Sequence, residues 1–286
     1  IWCEHIFSYG LINAYGSQAN YHPFFMYILW IFNLSQNSID KIHQNIYLLK
    51  AFTLIFDFIT AYAVLIIIPK NYRNFQLIPF LLLFNISYLY NTLIWGQVDA
   101  IYTCFVFLAF IFMYKKNIIL SSIFYTIAIN NKMQAIIFLP LLILMFVYFY
   151  HCFSKKQIII SVISAIIIQI IIPLPFIFGS GLHKIISVYT SAIDYYTLVS
   201  MNAFNIWYFI INGNPFEVWD TLHFLGIRYR DWGILMFIFM SIISLLPMSL
   251  MSFNSFLRKK YDDNNFLKVS LLSFALITIV FFYFNT

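Results

Sequence analysis

The chain has 286 residues, of which 63% are hydrophobic and 9% charged, with 34 Phe and 21 Tyr, whereas a water-soluble chain carries about 25% charged residues. That composition excludes an ordinary soluble domain and makes lipid the main solvent of the side chains. The net charge of +6 does not point to nucleic acid, because the Lys and Arg residues fall in short clusters between apolar runs and not along one face.

The chain opens on Ile1 without a basic n-region, apolar h-region and small-residue cleavage site, so it reads as a piece of a longer protein. Residues 1–21 mix Asn, Gly, Tyr and Ser in the manner of a folded loop, and the apolar run 22–36 is too short to cross a bilayer. A crossing needs roughly 17 to 25 mostly apolar residues. Runs of that kind fall at 46–68, 75–95, 99–115, 117–132, 133–153, 157–179, 233–253 and 266–286. The stretch 180–232, between the runs 157–179 and 233–253, is long and polar, a second structured loop. The expected fold is therefore all-α: a polytopic transmembrane helical bundle of about eight spans, a membrane-skimming helix at 22–36 and two structured outer loops, in one domain over 1–286.

Orientation follows from the basic clusters, since Lys and Arg accumulate in short cytoplasmic loops. Lys70 with Arg73, Lys115 with Lys116, Lys155 with Lys156, and Arg258 with Lys259 and Lys260 are separated by two apolar runs each time. All four clusters can then share the cytoplasmic side. The opposite, non-cytoplasmic face receives Trp95-Gly96-Gln97-Val98-Asp99, Asn130-Asn131-Lys132-Met133-Gln134 and the loop 180–232. Residues 1–21 join them only if 22–36 skims the interface.

Few residues on this map can carry chemistry. Asp57 lies inside an apolar run, where a charge costs about 2.5 to 3.5 kcal/mol, so it faces the bundle interior as helix–helix glue or as a substrate contact. Asp99 and Lys132 sit at helix ends on one face. They suit a structural salt bridge, or a phosphate or sugar site in which Lys132 supplies a point charge and Gln97, Asp99 and Gln134 supply hydrogen bonds. His22, beside Pro23, is a cap, an interfacial residue or a base. Arg228 and Arg230, with Asp231 and Trp232, anchor the run at 233 or hold a lipid phosphate. His183 and His223 are too scattered for a metal set, and Cys3, Cys104 and Cys152 are too far apart for a disulfide framework. No metal spacing, dinucleotide fingerprint or P-loop is present, so no cofactor is assigned. Any energy for chemistry arrives with the substrate.

Taken in order, these motifs resemble the GT-C superfamily of membrane glycosyltransferases, the polyprenyl-phosphate-sugar-dependent enzymes similar to GPI mannosyltransferase II and the dolichol-pathway glucosyltransferases. Trp2, Gly10, Tyr15 and Tyr21-His22-Pro23 leading to Tyr27 look like the first outer loop, with His22 where the family usually has Pro. Asp57, then Trp95 to Asp99 as W-G-Q-x-D, then Lys132, Gln134 and Pro140, follow the same order. Asn202-Ala203-Phe204-Asn205-Ile206-Trp207 is similar to an N-A-x-N-x-W motif of bacterial members. The resemblance implies transfer of a hexose, mannose favoured, from a lipid-linked donor to a lipid, glycan or protein acceptor. It implies substrate contacts at Tyr21, His22, Gln97, Asp99, Lys132, Gln134, Asn202 and Asn205. It also places the catalytic Asp just upstream of Ile1, Glu4 being a poor substitute, and a His-Glu-Arg-Tyr motif after Thr286. The expected location is a bacterial inner membrane or the endoplasmic reticulum. The competing readings are a lipid or solute transporter, which also sets charges beside bundle cavities, and a membrane scaffold.

Overall fold

A computed structural model describes residues 1–68, 74–191, 197–200, 204–211, 213–257 and 262–284. The fold is all-α but for one short hairpin, and it divides into two compact units: Ile1–Ile136 with Ser154–Thr190, and Ile137–Phe153 with Ser191–Thr286.

Among the described residues four helices are long and apolar enough to cross a membrane: Ile39–Ile66, Lys155–Ser180, Tyr229–Phe256 and Asp263–Phe284. Shorter apolar helices run over Pro23–Asn33, Asp99–Tyr114, Ile118–Asn131 and Met133–Tyr148. At 1.5 Å per residue the 16 residues of Asp99–Tyr114 reach about 24 Å, short of a hydrocarbon core of about 30 Å. The run 75–95 does not form one helix. It breaks into Phe75–Leu77, Ile78–Leu83, Ile86–Leu89 and a π-helical turn Tyr90–Trp95. The break has a local cause: the Asn85 side chain accepts from Ser87 N at 2.9 Å and starts a new helix, as N-cap residues do. Gly96, at φ 72°, ends the segment in a left-handed conformation that costs glycine little.

Within the first unit, α1 (Trp2–Tyr9) and α2 (Pro23–Asn33) precede α3 (Ile39–Ile66), α4 (Asp99–Tyr114), α5 (Ile118–Asn131), α6 (Lys155–Ser180) and α7 (Leu182–Ser191). The turn at Lys115–Asn117, with Lys116 at φ 59°, folds α5 back antiparallel to α4. There the Ser121 hydroxyl donates to Ala109 O at 2.8 Å. Helix α6 runs parallel to α5, because Ser122 reaches Ser161 O at 3.0 Å and Asn130 reaches Gln169 at 2.9 Å, both pairs 39 residues apart. Lys115, Lys116, Lys155 and Lys156 therefore share one end of this unit, while Asp99 and Lys132 share the other. The clusters at Lys70 and Arg73 and at Arg258 to Lys260 lie outside the described residues. On α6, Ile159, Ile163, Ile166 and Ile170 are 49–59% exposed. They repeat at helical spacing, and a continuous apolar stripe turned outward is a lipid-facing surface.

In the second unit, α8 (Tyr229–Phe256) and α9 (Asp263–Phe284) pack through small buried residues, Ser244, Ser252, Ser270 and Ser273. Small side chains let two backbones approach closely, which is how helices associate where lipid removes the hydrophobic drive. Ser244, Ser252 and Ser270 return their hydroxyls to the preceding turn, and Ser273 crosses to Ser244 O at 3.2 Å. A hairpin of β1 (His223–Phe224) and β2 (Ile227–Arg228) turns at Leu225 and Gly226, both at positive φ.

Candidate functional site

The polar end of the first unit is assembled by the antiparallel pairing just described. Helix α5 stops at Asn131, and Lys132 leaves it in an extended conformation, φ −155° and ψ 130°. Its ammonium pairs with Asp99 Oδ1, at the first residue of α4. The two side chains are 23% and 29% exposed, so the pair is fixed by geometry yet open to solvent or a charged ligand. The Lys132 ammonium also lies 5.7 Å from the centroid of the Tyr102 ring, a cation–π contact.

His22 comes to the same end as the residue before α2, with Pro23 in the first turn, where its fixed φ suits a helix start. It is buried, 3% exposed. Its Nδ1 lies 2.9 Å from Ile129 O, and since a carbonyl only accepts, Nδ1 carries the proton. Nε2 is then the lone-pair nitrogen, and it is buried with no hydrogen-bond partner among the described residues. The ring rests 4.6 Å from that of Tyr189. Burial holds the His22 pKa below the ordinary histidine value; the Ile129 carbonyl opposes that shift and the nearby Lys132 charge adds to it. His22 is thus a neutral hydrogen-bond acceptor at pH 7.

Tyr21 is placed by its neighbours. Its carbonyl accepts from the Tyr15 hydroxyl at 2.8 Å, and its ring lies between Trp2 and Phe25 at 5.2 and 5.0 Å. It lies within electrostatic reach of Lys132. The structure thus brings together Tyr21, His22, Asp99 and Lys132. Gln97 and Gln134 flank the pair in sequence and are partly exposed, but no hydrogen bond among the described residues ties either side chain to it.

The remaining candidates have other places. Asp57 is buried and accepts from the Thr92 hydroxyl at 2.6 Å, the helix-gluing role. Lys50, seven residues earlier on the same helix, donates to Leu93 O at 2.6 Å, so both residues fasten that helix to the turn Tyr90–Trp95. Asn205 belongs to the second unit, where it is buried and its Oδ1 accepts from Trp207 N at 3.3 Å, opening the single turn Trp207–Ile210. Asn202 lies outside the described residues. Arg228 holds Asp231 through Nε and a terminal nitrogen at 2.7 and 3.1 Å, and Trp232 Nε1 donates to Phe224 O at 2.8 Å. Those bonds seat the hairpin on the start of α8.

One constellation was not read from the sequence. Asn130 is fully buried, donates to Gln169 and to Thr126 O at 2.9 Å, and accepts from the Tyr189 hydroxyl at 2.6 Å. Burial pushes the Tyr189 phenol up to about 12, so it stays a donor at neutral pH. Gln169, an amide in the middle of the apolar run 157–179, was the available signal, since polar residues at such positions bridge helices. Asn131 beside it is buried, and neither of its amide atoms has a partner among the described residues.

The His22 environment has a measurable signature. Its pKa is depressed on folding, so the unfolded chain binds more protons between the two values, and stability rises with pH there. That contribution is complete above the ordinary histidine value of 6.5 and is lost as pH falls below it. Thermal unfolding in detergent between pH 7.5 and 5 should show a loss in the wild type that shrinks in His22→Asn, which keeps a donor for Ile129 O but does not titrate. Parallel curves for the two proteins would refute the assignment. Compared with known proteins, the chain matches no family model, no curated protein and no solved structure.

Proposed function

We propose that this chain belongs to an integral-membrane hexosyltransferase of the GT-C type. It would move a hexose, mannose favoured, from a polyprenyl-phosphate donor to a lipid, glycan or protein acceptor on the non-cytoplasmic face. In this reading eight segments cross the membrane, and Pro23–Asn33 skims its surface. The observation that carries the reading is the partly exposed Asp99–Lys132 pair beside Tyr21 and the buried His22, at the end of the first unit opposite Lys115, Lys116, Lys155 and Lys156. A cation held in place but not enclosed suits a phosphate that must arrive and leave.

In the proposed reaction the acceptor hydroxyl attacks the anomeric carbon and the bond from that carbon to the phosphate oxygen breaks. The lipid phosphate departs with the electron pair, and configuration inverts. Lys132 stabilises the charge that develops on the departing phosphate, and Asp99 fixes where that ammonium points. The hydroxyl proton passes to a carboxylate acting as general base.

The test uses the full-length protein in liposomes with polyprenyl-phosphate donors carrying single radiolabelled hexoses. Transfer of label from at least one of them, reduced in Asp99→Asn, is expected. No transfer from any such donor by a folded wild-type protein would overturn the reading.

A further inference from the structure

A second polar feature of the first unit lies apart from the Asp99–Lys132 pair. Helix α6 ends at Ser180, and beside it opens a hollow of about 430 Å³ lined by His5, Tyr9, Asn13, Tyr15, Ser180 and Lys184, with Gly16 and Gly179. That volume lies within the range of ligand sites, roughly 300 to 1,000 Å³.

Its walls are built by close approach. A Cβ on Gly179 would stand 2.1 Å from Ile12 O, and one on Gly16 would stand 2.8 Å from His5 Nε2. Any larger residue at Gly179 would have to push the first loop off the end of α6. The loop is pinned there by Tyr15, which is buried and sets its ring edge-on to Phe176 at 5.4 Å. His5 is held as well: its Nε2 contacts Asn13 O at 2.9 Å, and its ring lies 4.7 Å from that of Tyr9.

The charge of the lining has one sign. It carries the Lys184 ammonium, the His5 imidazole, the Asn13 amide and the hydroxyls of Tyr9, Tyr15 and Ser180, and among the described residues no carboxylate lines it. Among the described residues no acidic side chain pairs with Lys184. Its height in the bundle is also defined, because the apolar stretch Lys155–Ser180 is long enough to cross a membrane and the hollow sits where that stretch ends. Lipid phosphates occupy this level of a bilayer, where Lys side chains meet them.

We infer that the hollow bounded by His5, Ser180 and Lys184 binds a phosphate monoester, through the Lys184 charge and the Ser180 hydroxyl. The site is separate from Lys132, and the inference stands whatever reaction the Asp99–Lys132 end performs. The monoester belongs to a lipid headgroup or to a soluble phosphate, and the experiment separates the two.

Native mass spectrometry of the full chain is carried out with phosphatidate or phosphatidylcholine, with and without millimolar inorganic phosphate. The wild type should retain phosphatidate in preference to phosphatidylcholine. Lys184→Gln should weaken that retention about tenfold, as loss of one charge-assisted contact does, and Lys184→Arg should largely restore it. Lys155→Gln, at the other end of α6, should leave it unchanged. Displacement by inorganic phosphate would assign the site to soluble phosphates, and lysine-dependent retention without displacement would assign it to the lipid headgroup. Thermal unfolding confirms that each variant is folded. Equal retention of the two lipids by the wild type, or retention of phosphatidate untouched by Lys184→Gln, overturns the inference.

Discussion

Lys132→Met in the full-length protein should lower hexose transfer from a polyprenyl-phosphate donor by about 100-fold or more, the usual loss when one preorganised group is removed from developing charge. Lys132→Arg should keep part of the activity, since it preserves the charge but not the shape of a point cation. A structural ion pair would give a different pattern. Lys132 and Asp99 are each roughly a quarter exposed, so breaking the pair costs about 1 kcal/mol or less of stability, as partly solvated pairs do. A loss of turnover far beyond that of stability assigns Lys132 to the reaction. The double variant Asp99→Asn with Lys132→Met separates the two roles further: it removes the orphaned carboxylate and should recover stability without recovering transfer. Steady-state transfer rates and thermal unfolding in the same detergent check both. Transfer by Lys132→Met within a few-fold of wild type would sink the assignment.

Much of the helical layout was legible because hydropathy reads long apolar runs directly. The runs at 157–179, 233–253 and 266–286 lie over helices that begin two to four residues earlier, at Lys155, Tyr229 and Asp263. Polar first turns hide a helix start from a hydropathy window. The same cause explains why 46–68 belongs to a helix from Ile39. The Ser38 side chain caps that helix by accepting from Lys41 N at 3.2 Å, while Asp40, Lys41 and His43 stand out to solvent. The run 75–95 shows the opposite failure: its average apolarity is high, but one Asn side chain at 85 is enough to restart the helix.

At the candidate site, charge counting placed Asp99 and Lys132 on one end, and the antiparallel turn at Lys115–Asn117 puts them there. Burial was not legible in the same way. Whether His22 caps a helix exposed or lies sealed against Ile129 and Tyr189 depends on contacts 107 residues away in the chain, which no local pattern carries. Asn130 and Asn131 look like loop residues because Asn favours turns and helix ends. They occupy the last turn of α5 and are buried.

Asn130→Leu therefore tests whether that buried amide organises the site. Asn130 joins three helices: it sits on α5, donates to Gln169 on α6 and accepts from Tyr189 on α7. Interhelical hydrogen bonds in membrane proteins average about 0.6 kcal/mol and reach about 1.7. Leucine deletes both bonds and leaves the Tyr189 hydroxyl without its acceptor, while keeping the branched shape of the side chain. The expected loss is about 1 to 3 kcal/mol, seen as a lower unfolding temperature in detergent. The sharper consequence concerns His22, whose ring is covered by Tyr189 at 4.6 Å. Once the Tyr189 hydroxyl is released, water should reach Nε2, the burial that depresses the His22 pKa should relax, and the pH dependence of stability between pH 7.5 and 5 should flatten toward that of His22→Asn. Tyr189→Phe keeps the ring and removes only the hydroxyl, so it should lose less stability and flatten the profile less. An Asn130→Leu protein that is as stable as wild type, with an unchanged pH profile, would show that the bonds at Asn130 do not hold Tyr189 over His22.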